Sequence, residues 1–130
     1  MEFKAAKYNT ITKENINEMV VTFYTKVLEQ DNDVAKVFKT KLGDDLTNEH
    51  WVEHIQILTN FWAMIALQDQ DYNGNPMRAH FDLPLKRDMF GEWLVMFFQV
   101  VDSLYEEKLG MVFKQRAQNI AGNFMRNLGL

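Results

Sequence analysis

The stretch HWVEHIQILTNFW, residues 50–62, shows a regular pattern of large apolar side chains. Its large apolar side chains recur at spacings of three and four, which is the period of an α-helix with one buried face. Thr47 or Asn48 precedes the stretch as a candidate N-cap. We therefore predict a long helix here, with one face shared by Trp51, Ile55, Leu58, Trp62 and Ile65.

The same period runs through the rest of the chain, and no segment shows a convincing strand pattern. Thr12 is a candidate N-cap for a first stripe, and a short helical segment from Asp33 is stopped by Gly43. A further short helix is predicted from Pro76, with Asn75 as its cap, and it ends at Pro84. The longer stripes are formed by Ile16, Val20, Phe23, Val27 and Leu28; by Phe90, Trp93, Phe97, Val101 and Leu104; and by Leu109, Val112 or Phe113, Ile120, Phe124 and Leu128. The sequence predicts an all-α protein, with residues 1–130 as a single domain.

Composition excludes several classes of function. The 14 Lys and Arg residues are scattered among 18 Asp and Glu, so no basic stripe exists for a nucleic acid. The absence of cysteine excludes disulfides, thiolate metal sites and cysteine nucleophiles. The longest uncharged stretch, residues 55–68, is too short to span a bilayer of about 30 Å, and the first residues lack a signal-like apolar run. We expect a soluble, cytoplasmic protein that binds neither nucleic acid nor membrane.

The segment DQDYNGNPMRAHFDLP, residues 69–84, is similar to a calcium-binding EF-hand loop. The first, third, fifth and sixth positions of that loop are filled by Asp69, Asp71, Asn73 and Gly74. His80 stands at the twelfth position, where the loop needs a bidentate glutamate. Because imidazole is a poor ligand for a hard cation, we interpret the Asp and Asn residues as ordinary turn chemistry.

A second pattern, His50 to His54, matches the H-x-x-E-H signature of inverted zinc proteases. At this spacing both imidazoles lie on one face of a helix. A zinc enzyme would also need a third protein ligand and a substrate cleft, and the sequence offers no distinctive candidate for either. A zinc-dependent hydrolase is therefore a remote alternative, beside the simpler interpretation of one solvated and one buried histidine.

The chain is rich in large side chains that suit an apolar pocket, with ten Phe, three Trp, four Tyr and eight Met. An iron-bearing planar cofactor would need one imidazole on the metal, apolar walls and one or two hydrogen-bond donors on the opposite face. His80 and His54 supply imidazoles on different predicted helices, and Tyr24 and Trp93 place donors on apolar stripes. The residues alone leave open a haem pocket and a helical domain without a cofactor.

Six blocks occur in a specific order: FYTKV, VFKTKLG, HWVEHIQILTNFW, DYNGNPMRAHFDLP, EWLVMFF and QRAQNIAGNF. From about Tyr8 onward, this order resembles the third group of truncated haemoglobins. The chain also has no Gly-Gly pair, which the other truncated groups typically carry at helix junctions. The resemblance implies a truncated globin-like two-over-two helical sandwich around haem b, iron protoporphyrin IX.

Roles for individual residues follow from the resemblance. It implies that His80 is the proximal iron ligand and that Tyr24 and Trp93 are distal hydrogen-bond donors. His54 matches the histidine of the distal gate, and Phe38 matches the phenylalanine that wedges against the haem ring. Further cofactor contacts are implied for Phe23, Leu58, Phe61, Trp62 and, toward a haem propionate, Arg78.

The resemblance implies a protein that binds O₂, CO and NO with high affinity. Slow release makes a poor carrier, so nitric oxide chemistry, reactive oxygen chemistry or ligand sensing is favoured over bulk oxygen transport. The alternative is a haem enzyme, with nitric oxide dioxygenase or peroxidase-like turnover. A multi-turnover oxidase would need a reductase partner, which the sequence does not identify.

Overall fold

The computed structural model describes residues 7–72 and 85–130, and these residues form five α-helices. Apart from one isolated bridge between Tyr8 and Tyr105, extended pairing is absent from the described residues. The short helix predicted from Pro76, together with Arg78 and His80, lies outside them. The helices are α1 (Lys13–Leu28), α2 (Asp33–Leu42), α3 (Glu49–Leu67), α4 (Arg87–Leu104) and α5 (Glu107–Asn127).

The long helices pack as two pairs. Helix α1 packs against α3, and α4 packs against α5. Contacts of α1 with α4, and of α3 with α5, place one pair over the other. The short helix α2 bridges the pairs, because it contacts both α1 and α4. This is the two-over-two arrangement that the sequence resemblance implies.

The first three helices begin at residues whose side chains cap them. Thr12 and Asn15 form a reciprocal capping box at the start of α1, as the sequence predicts for Thr12. The Asn32 side chain accepts from the Ala35 N–H at 2.9 Å. Within the described chain, the caps of α4 and α5, Lys86 and Glu106, make no side-chain cap hydrogen bond.

Asn48 caps α3 and also ties it to α2. Its Oδ1 accepts from the Trp51 N–H at 2.9 Å, and its Nδ2 donates to the Leu42 carbonyl at 2.9 Å. The Trp51 indole N–H donates to the Gly43 carbonyl at 2.7 Å. Gly43 ends α2 at φ 91°, a conformation that favours glycine, and a Cβ there would approach Asn48 Nδ2 to 2.9 Å. The joint between the two helices is therefore fixed by two polar contacts, the bonds to the Leu42 and Gly43 carbonyls.

The core follows the apolar stripes of the sequence. Of the two residues proposed for the stripe of α5, Phe113 is fully buried and Val112 is exposed, so Phe113 is the core residue. Most buried side chains form one large cluster. A second, small cluster is built from Phe90, Ala121 and Phe124.

The segment before α1 is tied to the corner between α4 and α5. The Tyr8 N–H donates to the Leu104 carbonyl at 2.8 Å, and the Glu106 N–H donates to the Tyr8 carbonyl at 3.0 Å. Below this pair, the buried Tyr105 hydroxyl donates to Asn15 Oδ1 at 2.7 Å. The N-terminal segment thus packs against the corner between α4 and α5.

No helix within the described residues is both long and apolar enough to cross a membrane. The cytoplasmic location stays a prediction from the sequence.

Replacing Asn48 with Ala removes the cap of α3 and the partner of the Leu42 carbonyl. We expect a loss of about 1–2 kcal/mol in the free energy of unfolding, measured by urea denaturation. Thr47→Ala is the matched control, since the Thr47 hydroxyl bonds only to exposed Asp45 in the described structure, and its cost should stay within about 0.5 kcal/mol. Equal costs for the two variants would contradict the assignment of the cap.

Candidate functional site

A cavity of about 290 Å³ opens between the two helix pairs and takes wall residues from all five helices. This volume is near the lower end for ligand pockets, which span about 300–1,000 Å³. Polar groups on its wall are few and come from Tyr24, His54, Trp93 and Lys41. The apolar part of the wall, within the described residues, consists of Val34, Val37, Phe38, Leu42, Leu58, Phe61, Trp62, Leu85, Met89, Phe90, Ile120, Ala121 and Phe124.

The cavity lies between the two hydrophobic clusters. Phe90, Ala121 and Phe124, which make up the small cluster, all face it from α4 and α5. Residues of the large cluster, including Tyr24 and Trp62, face it from the other side. Protein interiors are normally packed as densely as organic crystals, so an apolar gap of this size between two core clusters is unusual. Its lining suits a planar, mostly apolar group with a polar atom or two facing Tyr24.

Tyr24 brings the most deeply buried polar atom to the wall, on the face of α1 next to the apolar stripe. Its side chain is only 3% exposed, and burial raises the pKa of the phenol well above its ordinary value. Burial therefore favours the neutral phenol, which keeps its proton and can donate it in a hydrogen bond. Tyr24 Oη lies 3.3 Å from His54 Nε2, and the phenol donates when that nitrogen is unprotonated.

His54 is held in place by three aromatic rings. The ring centroids of Tyr24, Trp51 and Phe38 lie 5.3, 5.6 and 6.0 Å from the imidazole centroid. Trp51 is completely buried and is itself fixed by its bond to Gly43. The half-buried imidazole thus sits at the edge of the cavity, with α2 on one side and α1 on the other.

Trp93 reaches the wall from α4 as the first ring of a stack. Its indole is nearly parallel to the Phe97 ring at a centroid distance of 5.2 Å, and Phe97 stacks on Trp62 at 5.0 Å. Phe23 packs edge-on against Tyr24, Trp93 and Phe97 at 4.9, 5.8 and 5.6 Å. Phe23 therefore lies behind the wall and supports it.

The residues that the sequence proposes for the site converge on this one cavity. Seven of them line it, namely Tyr24, Phe38, His54, Leu58, Phe61, Trp62 and Trp93. Phe23 stands behind the lining, and Arg78 and His80 lie outside the described residues. The sequence interpretation missed the wall residues Val34, Val37, Lys41, Leu42, Leu85, Met89, Phe90, Ile120, Ala121 and Phe124. Phe90, Ile120 and Phe124 do belong to predicted apolar stripes, but periodicity does not tell a core position from a cavity wall.

The acidic residues of the calcium-like segment have a partner in the protein itself. Lys13 Nζ lies 2.7 Å from Asp71 Oδ2 and 3.3 Å from Asp69 Oδ2. The Asp71 N–H donates to Asp69 Oδ1 at 2.8 Å, which is an Asx-turn contact. These contacts agree with the interpretation of the two aspartates as turn residues.

The zinc alternative gains no further ligand in the described part of the chain. His50 is exposed on α3, whereas His54 points to the cavity edge. No group of three histidine or carboxylate side chains that could hold a metal occurs among the described residues.

Comparison with known proteins gives the family. No protein-family model matches the chain. It is 37% identical over 123 residues to the group 3 truncated haemoglobin ctb of Campylobacter jejuni, a match that covers 94% of each chain. The crystal structure of the group III truncated haemoglobin from Campylobacter jejuni matches the fold with a TM-score of 0.86, at 36% identity and over 95% of each chain. The predicted all-α, two-over-two fold is confirmed. The chain belongs to the group 3 truncated haemoglobins, a family of haem globins that bind diatomic ligands.

Proposed function

We propose that the cavity holds haem b with His80 as its proximal ligand, and that the protein binds O₂ tightly. Tight capture serves nitric oxide or reactive oxygen chemistry, or ligand sensing, in preference to bulk oxygen transport. The observation that carries this proposal is the apolar gap between the two core clusters, because a large apolar group would complete the packing there.

The donor set of the cavity fits this cofactor. Haem, when bound, supplies an iron atom that takes up O₂, CO or NO. The apolar wall excludes water from the iron, while Tyr24 and Trp93 supply donors on the distal side. Phe38 packs against both the Tyr24 ring and the His54 ring, and it would supply an apolar contact to the bound cofactor.

Tyr24 acts as the principal donor to negative charge on a diatomic ligand. Its buried phenol keeps its proton, as the raised pKa requires, and the dry surroundings strengthen any hydrogen bond that it donates. Trp93 donates from α4 through its indole N–H, a group that can donate a hydrogen bond but cannot accept one. Two donors from different helices thus hold one ligand.

His54 controls entry to the cavity and orients the Tyr24 hydroxyl. The 3.3 Å contact between Tyr24 Oη and His54 Nε2 competes with donation by Tyr24 to a ligand. Outward movement of the half-buried imidazole would open the edge of the cavity and free the phenol at once. The same side chain therefore couples access to donor availability.

A second function, peroxidase-like or nitric oxide dioxygenase turnover, rests on the same pair. When His54 is unprotonated, its imidazole can accept a proton from a peroxide that enters the cavity, because it lies beside the Tyr24 hydroxyl. Sustained turnover of this kind would require a reductase partner to return electrons to the iron.

The proximal assignment is tested by His80→Ala. This change removes the imidazole proposed to ligate the iron, so we expect loss of haem and of the absorption bands of the purified protein. His50→Ala is the control, because His50 is exposed on α3, and its haem content should match that of the unchanged protein. Full haem content and an unaltered spectrum in His80→Ala would disprove the assignment.

The gate is tested by His54→Ala, followed by flash photolysis with CO and stopped-flow release of O₂. We expect the association rate of CO to rise more than the release rate of O₂ changes, because Tyr24 and Trp93 still donate. A large rise in O₂ release with unchanged CO association would show that His54 stabilises the ligand instead.

The donors are tested by Tyr24→Phe, Trp93→Phe and the double variant. A hydrogen bond to a charged acceptor contributes about 1.5–3 kcal/mol, so each loss should speed O₂ release roughly 10- to 150-fold. The two effects should not add, because both donors hold the same ligand. CO carries much less charge and should respond far less. Equal effects on O₂ and CO, or none in Tyr24→Phe, would mean that the residues only fill space.

A further inference from the structure

A continuous series of aromatic rings leads from the cavity wall to the protein surface. We name it the aromatic column, and it consists of Trp93, Phe97, Trp62, Phe113, Tyr105 and Tyr8. Successive ring centroids lie 5.2, 5.0, 5.8, 5.0 and 5.9 Å apart. Trp93 and Trp62 line the cavity, and Tyr8 reaches the surface in the segment before α1. Every member lies within the described residues.

The column contains rings that lose an electron readily and rings that do not. Indole and phenol side chains are oxidised far more easily than the benzene ring of phenylalanine. An electron vacancy, meaning a ring that has lost one electron, can therefore reside on Trp93, Trp62 or either tyrosine. The rings of Phe97 and Phe113 lie between these residues and contact them. Such spacing permits transfer in short steps from the cavity to Tyr105 and Tyr8.

The two tyrosines differ in what can take their proton. An oxidised phenol is strongly acidic and forms a stable radical only if a base removes its proton. The buried Tyr105 hydroxyl donates to the amide oxygen of Asn15, which is not a base at neutral pH. The Tyr8 hydroxyl donates to the carboxylate of exposed Glu18 at 3.1 Å, within proton-transfer range. The radical is therefore more stable on Tyr8 than on Tyr105.

We propose that the aromatic column delivers single electrons from Tyr8 to one-electron oxidants in the cavity. The oxidant gains one electron from Trp93 or Trp62, and the vacancy passes along the column to Tyr8. The Tyr8 O–H bond breaks, its proton passes to the Glu18 carboxylate, and a neutral phenoxyl radical remains. The proposal rests on the proposed function only for the source of the oxidant, which is haem reacting with a peroxide.

The column also has a branch to the distal donor. Phe23 contacts both the Tyr24 ring and the Phe97 ring, at 4.9 and 5.6 Å. A vacancy that reaches Tyr24 can therefore leave through Phe97 before the phenol is chemically altered. The column would preserve Tyr24, the donor on which ligand binding depends.

The experiment generates the oxidant without haem chemistry. Azidyl radicals, produced by pulse radiolysis, oxidise indole faster than phenol at neutral pH. Trp51 and Trp62 are buried, so the half-buried Trp93 is the indole most open to attack. Freeze-quenched samples of the purified protein are followed by electron paramagnetic resonance, and a nitroso spin trap marks the final radical for peptide mapping. We expect a tyrosyl signal and a trap adduct on Tyr8.

Variants then separate transfer along the column from direct attack at the surface. Glu18→Gln keeps a side chain that can bond to Tyr8 but removes the base, and should slow formation of the tyrosyl radical by about 100-fold. Trp93→Phe should strongly reduce the adduct on Tyr8, because the entry point is lost. Tyr8→Phe should leave a tryptophanyl signal in place of the tyrosyl one.

Two matched controls should behave like the unchanged protein. Glu14→Gln removes an exposed carboxylate on the same helix as Glu18. Tyr72→Phe removes the tyrosine of a competing branch, which leaves Trp62 through Phe61 with centroid distances of 5.3 and 5.2 Å.

The proposal is overturned by an adduct on Tyr72 instead of Tyr8, by a Tyr8 adduct that survives Trp93→Phe, or by no effect of Glu18→Gln. Because azidyl radicals need no haem, the test runs even in protein that takes up no haem. Failure to bind haem would disprove the proposed function alone. A haem-bound protein with no Tyr8 radical would disprove the column alone.

Discussion

The hydrophobic core of this protein is interrupted by the cavity. Phe90, Ala121 and Phe124 form their own cluster, and the cavity lies between them and residues of the large cluster. If dry, a gap of about 290 Å³ would cost up to about 7 kcal/mol at the rate seen for engineered cavities. That is comparable with the whole stability of a typical domain, about 5–15 kcal/mol. A cofactor that filled this gap would therefore also stabilise the fold.

The helices could be predicted from the sequence because their signals are local. Thr12 and Gly43 were identified at the ends of α1 and α2 from their residue types alone. The choice between Thr47 and Asn48, or between Val112 and Phe113, could not be made, since both members of each pair suit the local pattern. Those choices depend on contacts across the fold, such as the bond from Asn48 to Leu42.

The site could be predicted only in part, and chiefly through the family resemblance. Tyr24 and Phe23 are neighbours on one stripe, yet one faces the cavity and the other supports it from behind. Lys13 pairs with Asp69 and Asp71 across the fold, which no local pattern indicates. The wall contributed by α5 was missed because an apolar stripe looks the same whether it meets protein or cofactor.

The helix caps are distributed unevenly between the two halves of the site. Helices α1, α2 and α3 carry side-chain caps, each contributing about 1 kcal/mol, whereas in the described chain the caps of α4 and α5 form no such bonds. The caps belong to the helices that carry Tyr24, Phe38 and His54. That half of the site is preorganised by its own local contacts, so it can present a ready template to an incoming cofactor. The half that carries Phe90 and Phe124 has no such caps in the described chain, so it depends more on its packing contacts.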